Sequence, residues 1–194
     1  MVVTKTRITA DEYLAMEELE GRRTNLIDGE IVVNEPTRWH QDAVKEIVLA
    51  LGMWEKAGTD RGLMSLPLDI KLDEFNVYGP DVLWYAQGHA PELLAPRPYP
   101  PPDLAVEVRS PSTWRHDIGP KKSGYEAAGV RELWLVDFTS VLVFRRSGPK
   151  RPDFDVTLEL TPQETLTSPL LPGFGLPLAA CIPPSQAARA RARS

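Results

Sequence analysis

The stretch PDLAVEVRSPS, residues Pro102–Ser112, places a glutamate, Glu107, in the middle of an apolar run. In a β-strand, alternate side chains point to opposite faces, so Glu107 shares a face with Ala105 and Arg109. The leucine and valines between them point to the other face. A carboxylate in a central strand is costly to desolvate unless it is paired, hydrogen-bonded or bound to a cation. The strand therefore predicts a partner for Glu107.

The aspartate of the same stretch, Asp103, is too far away to be that partner. It lies four residues from Glu107, which is about 13 Å at about 3.3 Å per strand residue. Two ligands of one Mg²⁺ lie at most about 4 Å apart, because each is about 2.1 Å from the metal. A residue on a neighbouring strand meets this limit, since strands lie about 4.8 Å apart. Asp81, which opens the apolar segment DVLWYA, is the candidate.

Two carboxylates on neighbouring strands are the minimum site for a hard divalent cation, and a nearby cationic side chain would let such a site act on a phosphodiester. Arg109 shares a strand face with Glu107, but a guanidinium stays protonated and serves only as an electrostatic clamp. Lys121, in the following predicted helix, is the better candidate for orienting a water or stabilising developing charge. Lys121 and Tyr125 are four residues apart and so lie on one helical face. The adjacent Lys122 is a competing candidate.

The rest of the chain alternates helical and extended patterns. Thr9 and Glu12 form a capping-box pattern, which predicts a helix that ends at Gly21. Asp28 and Gly29 supply the turn of a β-hairpin. The order of elements predicts an α+β domain with one mixed central sheet flanked by helices. The other predicted elements are a helix from about Trp39 to Ala57, a helix with Pro120 in its first turn that closes at Gly129, and strands in LMSLPLDIKL, DVLWYA, RELWLVD and SVLVFRR.

Composition narrows the class of protein. A hydrophobic fraction of 42% and a charged fraction of 25% are typical of a globular domain, and no apolar run is long enough to span a bilayer. The single cysteine, Cys181, excludes an internal disulfide and a cysteine-rich zinc site, and we expect a cytoplasmic protein. A net charge of −5 argues against strong non-specific DNA binding but allows a local basic groove. We expect one domain over residues 1–180 and a disordered tail over residues 181–194.

The segments LIDGEIV, PDVLWY, PDLAVEVRSPST and the later ELWLVD together resemble the Uma-two family of bacterial restriction-endonuclease-like proteins. The resemblance runs from about Thr9 to Arg146 and is most specific between Glu107 and Asp137. It implies an α/β/α-like core of the PD-(D/E)XK nuclease superfamily. It also implies an endonuclease that uses Mg²⁺, with Mn²⁺ as a substitute, to hydrolyse DNA.

By position, the resemblance assigns Asp81 and Glu107 as the metal ligands and Lys121 as the third catalytic residue. The lysine expected two residues after the glutamate is replaced by Arg109, and related families place it on the next helix, as Lys121 is here. The carbonyl of Val108 would complete the metal site. Supporting positions are assigned to Glu30, His40, Arg109, Asp117 and Tyr125.

Two other functions remain open at this point. Asn25 stands where the family often has an acidic residue, and this, together with Arg109, allows a weak or inactive nuclease fold that binds nucleic acid or a protein. The third hypothesis is a structural protein that forms a homodimer or larger oligomer through RELWLVD and SVLVFRR. Each supporting residue also has a simpler explanation: His40 packs at a helix start, Glu30 flanks the hairpin turn, and Asp117 caps a helix.

Overall fold

The computed structural model describes residues 7–16 and 23–182. Within these ranges the helices are α1 (Ala10–Ala15), α2 (Arg38–Lys56), α3 (Trp114–His116) and α4 (Lys122–Ala127). A wide, π-type turn over Asp117–Lys121 joins α3 to α4, and a 3₁₀ turn covers Leu178–Ala180. The strands are β1 (Arg23–Ile27), β2 (Glu30–Asn34), β3 (Leu63–Ser65), β4 (Ile70–Asp73), β5 (Asn76–Tyr78), β6 (Val82–Tyr85), β7 (Leu104–Val108), β8 (Glu132–Val136), β9 (Val141–Arg145), β10 (Val156–Leu160), β11 (Thr165–Leu166) and β12 (Leu176–Pro177).

A mixed sheet of six strands forms the centre of the molecule, in the order β10-β9-β8-β7-β6-β3. Strands β7 and β8 run parallel, and the other neighbouring pairs are antiparallel. All five residues of β7 are buried, which explains why its sequence is apolar on both faces. The predicted mixed α+β architecture with a central sheet flanked by helices is confirmed.

A second, antiparallel sheet has the order β2-β1-β5-β4. Its hairpin turns as predicted, with Asp28 at φ 51° and Gly29 at φ 78°, the left-handed conformation that a tight hairpin requires. The sequence placed this hairpin in the same sheet as the other strands. In the structure the hairpin belongs to a separate sheet, because its strand β1 pairs with β5 at Leu26 and Val77. The sequence analysis did not identify β5.

The two faces of the central sheet are covered by different elements. On one face, α2 packs through Ala43, Ile47 and Leu51, together with apolar residues of the C-terminal segment 165–182. On the other face, Tyr125 of α4 packs with Tyr78 of the second sheet. The sheet therefore lies between a helical layer and a layer made of α4 and the second sheet.

The helices agree with the sequence in position but not in every boundary. The Thr9 hydroxyl and Glu12 form the predicted capping box, yet α1 ends at Ala15 because Met16 is extended, and Gly21 lies outside the described residues. The helix predicted to have Pro120 in its first turn and to close at Gly129 begins later, at Lys122, because Pro120 lies in the wide turn that precedes it, and it ends at Ala127.

The C-terminal segment continues into the core. Cys181 and Ile182 are buried on the α2 side of the central sheet, whereas residues 183–194 of the predicted tail lie outside the described residues. None of the helices in the described ranges is long and apolar enough to cross a membrane.

Candidate active site

Asp81 and Glu107 lie on neighbouring antiparallel strands. Val82 is paired with Val106, and the Asp81 N–H donates to the Val106 carbonyl at 3.0 Å, so Asp81 continues the ladder opposite Glu107. Side chains at opposed positions lie on the same face with Cβ atoms about 5 Å apart. Asp81 is 2% exposed and Glu107 is 4% exposed. The chain thus buries two carboxylates side by side near the carboxyl end of β7.

Asp81 is held by groups from three elements. Its Oδ2 accepts from the Val108 N–H at 2.8 Å and lies 3.1 Å from His40 Nε2, at the first turn of α2. His40 is buried, and its Nδ1 has no hydrogen-bond partner among the described residues. A proton on Nε2 would therefore let the ring donate to Asp81. The guanidinium of Arg23, from β1, lies 3.9 Å from Asp81 Oδ1.

Glu107 accepts two short contacts on one oxygen, Oε1. Lys121 Nζ lies 2.5 Å away and the Tyr125 hydroxyl donates at 2.5 Å. The pKa of Glu107 is raised to about 8, mainly by burial. The ammonium of Lys121 lowers this pKa, and the nearby carboxylates of Asp117 and Asp81 raise it. Both contacts fall on the same oxygen of Glu107, Oε1.

The wide turn before α4 brings Lys121 and Asp117 to the same place. Lys121 is 1% exposed and lies 3.2 Å from Asp117 Oδ1. Burial alone would lower the pKa of Lys121, but the carboxylates of Glu107 and Asp117 raise it, so the side chain stays an ammonium. Asp117 also accepts from the Thr113 hydroxyl at 3.0 Å. Lys122, the competing candidate, lies instead over the Phe144 ring.

Tyr78 is a site residue that the sequence analysis missed. Lys121 Nζ lies 5.6 Å from the centroid of the Tyr78 ring, and the ring meets Tyr125 edge-on at 5.3 Å. The Tyr78 hydroxyl donates to Asn76 at 2.8 Å. Tyr78 is the last residue of β5, a strand that the sequence analysis did not identify, so no pattern in the sequence connected it with the lysine.

Asn25 stands where the family often has an acidic residue, and its side chain binds the backbone of a neighbouring segment. Its side-chain oxygen accepts from the Gly79 N–H at 2.7 Å. Gly79 begins the Gly-Pro pair that leads into Asp81. Asn25 therefore holds the backbone that leads into the strand on which Asp81 lies.

The structure places the remaining candidates around the site rather than in it. Arg109 Nη1 donates to both oxygens of Asp137, at 2.9 and 3.0 Å. Glu30 is the first residue of β2, opposite Ile27, and is exposed. Asp103, which the strand spacing excluded, accepts instead from the Ala86 N–H at 2.7 Å at the other end of β7.

The donor set suits a hard divalent cation that keeps several waters. Three acidic side chains, Asp81, Glu107 and Asp117, are buried near one ammonium, that of Lys121, which contacts Glu107 and Asp117; a cation would balance the remaining negative charge. No group of three or more His, Cys, Asp or Glu among the described residues could hold a metal by itself. Asp81, Glu107 and the neighbouring Val108 carbonyl would be the oxygen donors available to such a cation, and waters would fill its remaining positions.

Comparison with known proteins agrees with this fold. A crystal structure of "a putative nuclease belonging to DUF820" from Anabaena variabilis ATCC 29413 matches with a TM-score of 0.74 and 21% identity. The match covers 93% of this chain and 99% of that chain, and it shows the restriction-endonuclease-like fold. The search of curated proteins gave no match. Residues 10–179 match the Uma2 family, described as "Putative restriction endonuclease". Because that match spans most of the sequence, the chain belongs to the Uma2 family.

Proposed function

We propose that this protein is a Mg²⁺-dependent endonuclease that hydrolyses phosphodiester bonds of DNA. The observation that supports it best is the pair of buried carboxylates, Asp81 and Glu107, on adjacent strands with a buried lysine, Lys121, 2.5 Å from one of them. Membership of a family described as restriction endonucleases supports a nucleic-acid substrate. A bound Mg²⁺ would polarise the phosphate and lower the pKa of a water.

The protein's own residues would position the reacting groups. Asp81 and Glu107 would hold the metal, and His40 and the Val108 N–H fix the orientation of Asp81. Lys121 stays protonated because its pKa is raised, so it would orient the water and stabilise developing charge rather than remove a proton. Burial also raises the pKa of Tyr125, which keeps its hydroxyl a donor to Glu107.

Cleavage assays with isosteric variants test this function. Plasmid and single-stranded DNA are incubated with Mg²⁺ or Mn²⁺, with and without chelator. We expect metal-dependent cleavage by the wild type and at least a hundredfold loss in Asp81→Asn and Glu107→Gln, since each removes a charged metal ligand.

Asp103→Asn is the matched control, because it alters a buried aspartate that lies about 13 Å from Glu107 on the same strand. This variant should keep both metal binding and cleavage. A wild type that cleaves DNA while the Asp81 and Glu107 variants cleave equally well would contradict the assignment of the site. A wild type that retains DNA without cleaving it, whether or not chelator is present, would favour the inactive binding fold instead.

A further inference from the structure

Four side chains form a row of neighbours beside the candidate active site, with the Trp39 and Phe138 rings tilted at 44° to each other; we call this row the aromatic ridge: Trp39, Phe138, Arg109 and Trp114. The ring centroids of Trp39 and Phe138 are 4.3 Å apart. The guanidinium carbon of Arg109 lies 5.1 Å from the Phe138 centroid and 5.4 Å from the Trp114 centroid. Arg109 is thus in contact with two aromatic rings, and the ridge offers four flat groups in a row.

Hydrogen bonds hold the ridge in place without using all of its polar groups. Asp137 accepts from Arg109 Nη1 and from the Phe138 N–H, and the Trp39 indole donates to the Cys181 carbonyl at 2.9 Å. Over the described residues, Arg109 Nε and Nη2 and the Trp114 indole N–H make no hydrogen bond. All four ridge residues are partly exposed. The ridge is therefore held in position, and part of each of its four side chains remains exposed to solvent.

Chain connectivity places the ridge next to the carboxylates. Trp39 directly precedes His40, which contacts Asp81. Arg109 is two residues beyond Glu107, and Trp114 is three residues before Asp117. Consecutive Cα atoms are about 3.8 Å apart, so each of these ridge residues lies within about 11 Å, Cα to Cα, of a residue of the site.

We propose that the aromatic ridge stacks nucleobases of an unpaired stretch of DNA next to the scissile phosphate. This inference rests on the proposed function and specifies its substrate: single-stranded or locally unpaired DNA rather than intact duplex. Aromatic rings and guanidinium planes bind the faces of bases, and those faces are accessible only where the bases are unstacked from a duplex.

The charge of the ridge separates base stacking from phosphate binding. Arg109 is the only ridge cation, and its ion pair with Asp137 at 2.9 Å already balances its charge. A phosphate contact makes affinity fall with salt, and its loss reduces the slope of that dependence by about one. Removal of a ridge ring should weaken binding without changing the slope.

Fluorescence anisotropy in chelator, where no metal supports cleavage, measures binding directly. The probes are a labelled oligothymidylate of about 12 nucleotides, within the usual site size of a stacking surface, and a fully paired duplex of the same length. We expect Trp114→Ala and Phe138→Leu each to weaken binding of the oligothymidylate about tenfold, leaving duplex binding and the salt slope unchanged. Trp114→Phe, which retains a ring, should restore most of the affinity.

Phe75→Ala is the matched control, since Phe75 also carries an arginine, Arg7, over its ring at 3.9 Å, but at the turn between β4 and β5. It should bind both probes as the wild type does. Thermal unfolding of each variant verifies that the fold is retained, and Phe138→Leu keeps most of the buried apolar volume.

Three outcomes would overturn the inference: unchanged oligothymidylate binding in folded ridge variants, an equal loss on both probes, or a ridge variant that changes only the oligomeric mass. These outcomes are separate from failure of the proposed function. If the wild type cuts no DNA with any metal but the ridge variants lose single-strand affinity, the base-stacking role of the ridge is supported and the endonuclease function is contradicted. If the wild type cuts DNA and the ridge variants bind normally, the endonuclease function is supported and the base-stacking role of the ridge is contradicted.

Discussion

The two carboxylates of the site are held in different ways. Asp81 accepts from a backbone N–H and lies beside a histidine, whereas Glu107 accepts from an ammonium and a phenol on a single oxygen. Burial is the main reason that the pKa of Glu107 rises to about 8. A metal ion that binds Glu107 would therefore compete with a proton for this carboxyl group.

Metal affinity should accordingly depend on pH. Below about pH 8 we expect Mn²⁺ affinity to rise about tenfold per pH unit, and above it to level off, because the ion competes with one proton on Glu107. Without metal, the quantity that depends on pH is the stability of the folded state, and it changes in the opposite direction. A carboxyl pKa raised above 4.5 by folding stabilises the folded state at acid pH, and that contribution is lost as pH rises to about 8. Calorimetric titration across this range measures the first trend, and an affinity independent of pH would contradict it.

Lys121 is the only buried lysine among the described residues. Its removal should lower the free energy of unfolding, because the carboxylates beside it would remain buried without a cation. Lys121→Met leaves Glu107 and Asp117 without a cationic partner, and we expect a loss of about 3–5 kcal/mol in the free energy of unfolding near pH 8. The loss should shrink at acid pH, where these carboxyl groups can take up protons.

Urea denaturation at both pH values measures this loss. Lys122→Met is the matched control, because Lys122 is partly exposed and should cost less than about 1 kcal/mol. An equal loss for Lys121→Met at both pH values would mean that the lysine contributes through packing of its methylene groups rather than through its charge.

At the scale of elements, the wide turn Asp117–Lys121 is what brings the lysine inward. Pro120 lacks a backbone N–H, and Gly119 leaves the helical conformation with φ −116° and ψ −106°. The axis of the chain therefore changes between α3 and α4, and Lys121 enters the site while Lys122 lies against the rings of Phe144 and Phe154.

The glycine of α4 tests how tightly this helix is packed against the second sheet. A Cβ at Gly124 would lie 2.7 Å from the Tyr78 hydroxyl, so Gly124→Ala must displace a buried ring and should lower the free energy of unfolding by about 1–3 kcal/mol. Gly52→Ala in α2 is the matched control, since its Cβ would make only an ordinary contact with Met64 at 3.6 Å.

The control should raise stability by about 0.5–1 kcal/mol, because alanine favours a helix over glycine. Chemical denaturation of both variants provides the comparison. Equal stabilisation by the two substitutions would show that α4 does not pack on Tyr78 as closely as the structure indicates.

The sequence predicted those parts of the site that depend on local geometry. Strand alternation identified the face of Glu107, strand spacing excluded Asp103, and both requirements pointed to Asp81, which the structure places opposite Glu107. Tyr78 was not predicted as a site residue because β5 has only three residues and one position paired with β1. A strand of this length is too short to show a periodic pattern.

The aromatic ridge could not be predicted for a related reason. Trp39 and Phe138 touch across 99 positions of sequence, and no local pattern records a contact of that separation. The same holds for Asn25, whose backbone role is visible only once β1 lies beside the Gly-Pro pair that precedes Asp81. Long-range packing, rather than local propensity, determines these contacts.

At the scale of the whole molecule, the site lies where three parts of the chain meet. The second sheet supplies Arg23 and Tyr78, α2 supplies His40, and the segment from β7 to α4 supplies Glu107 and Lys121. A change in the packing of any one part would move one of the groups around the carboxylates. The site therefore depends on the whole domain folding as one unit.

The C-terminal segment 165–182 should belong to this same cooperative unit. Its Phe174 is 5% exposed and lies between two tryptophans of the core, stacked on Trp134 at 5.7 Å and edge-on to Trp54 at 6.4 Å. We expect Phe174→Ala to lower the free energy of unfolding by about 3–5 kcal/mol, through lost burial and the cavity it leaves. Leu158→Ala, at a side chain 39% exposed on β10, should cost less than about 1 kcal/mol.

Urea denaturation followed by tryptophan fluorescence and by circular dichroism measures both variants. If the segment is part of the domain, the two signals change together in a single transition, and the midpoint for Phe174→Ala shifts to lower urea in both. A transition in which fluorescence changes first, while the circular dichroism of the central sheet keeps its wild-type midpoint, would mean that the segment unfolds independently of the sheet that carries the site.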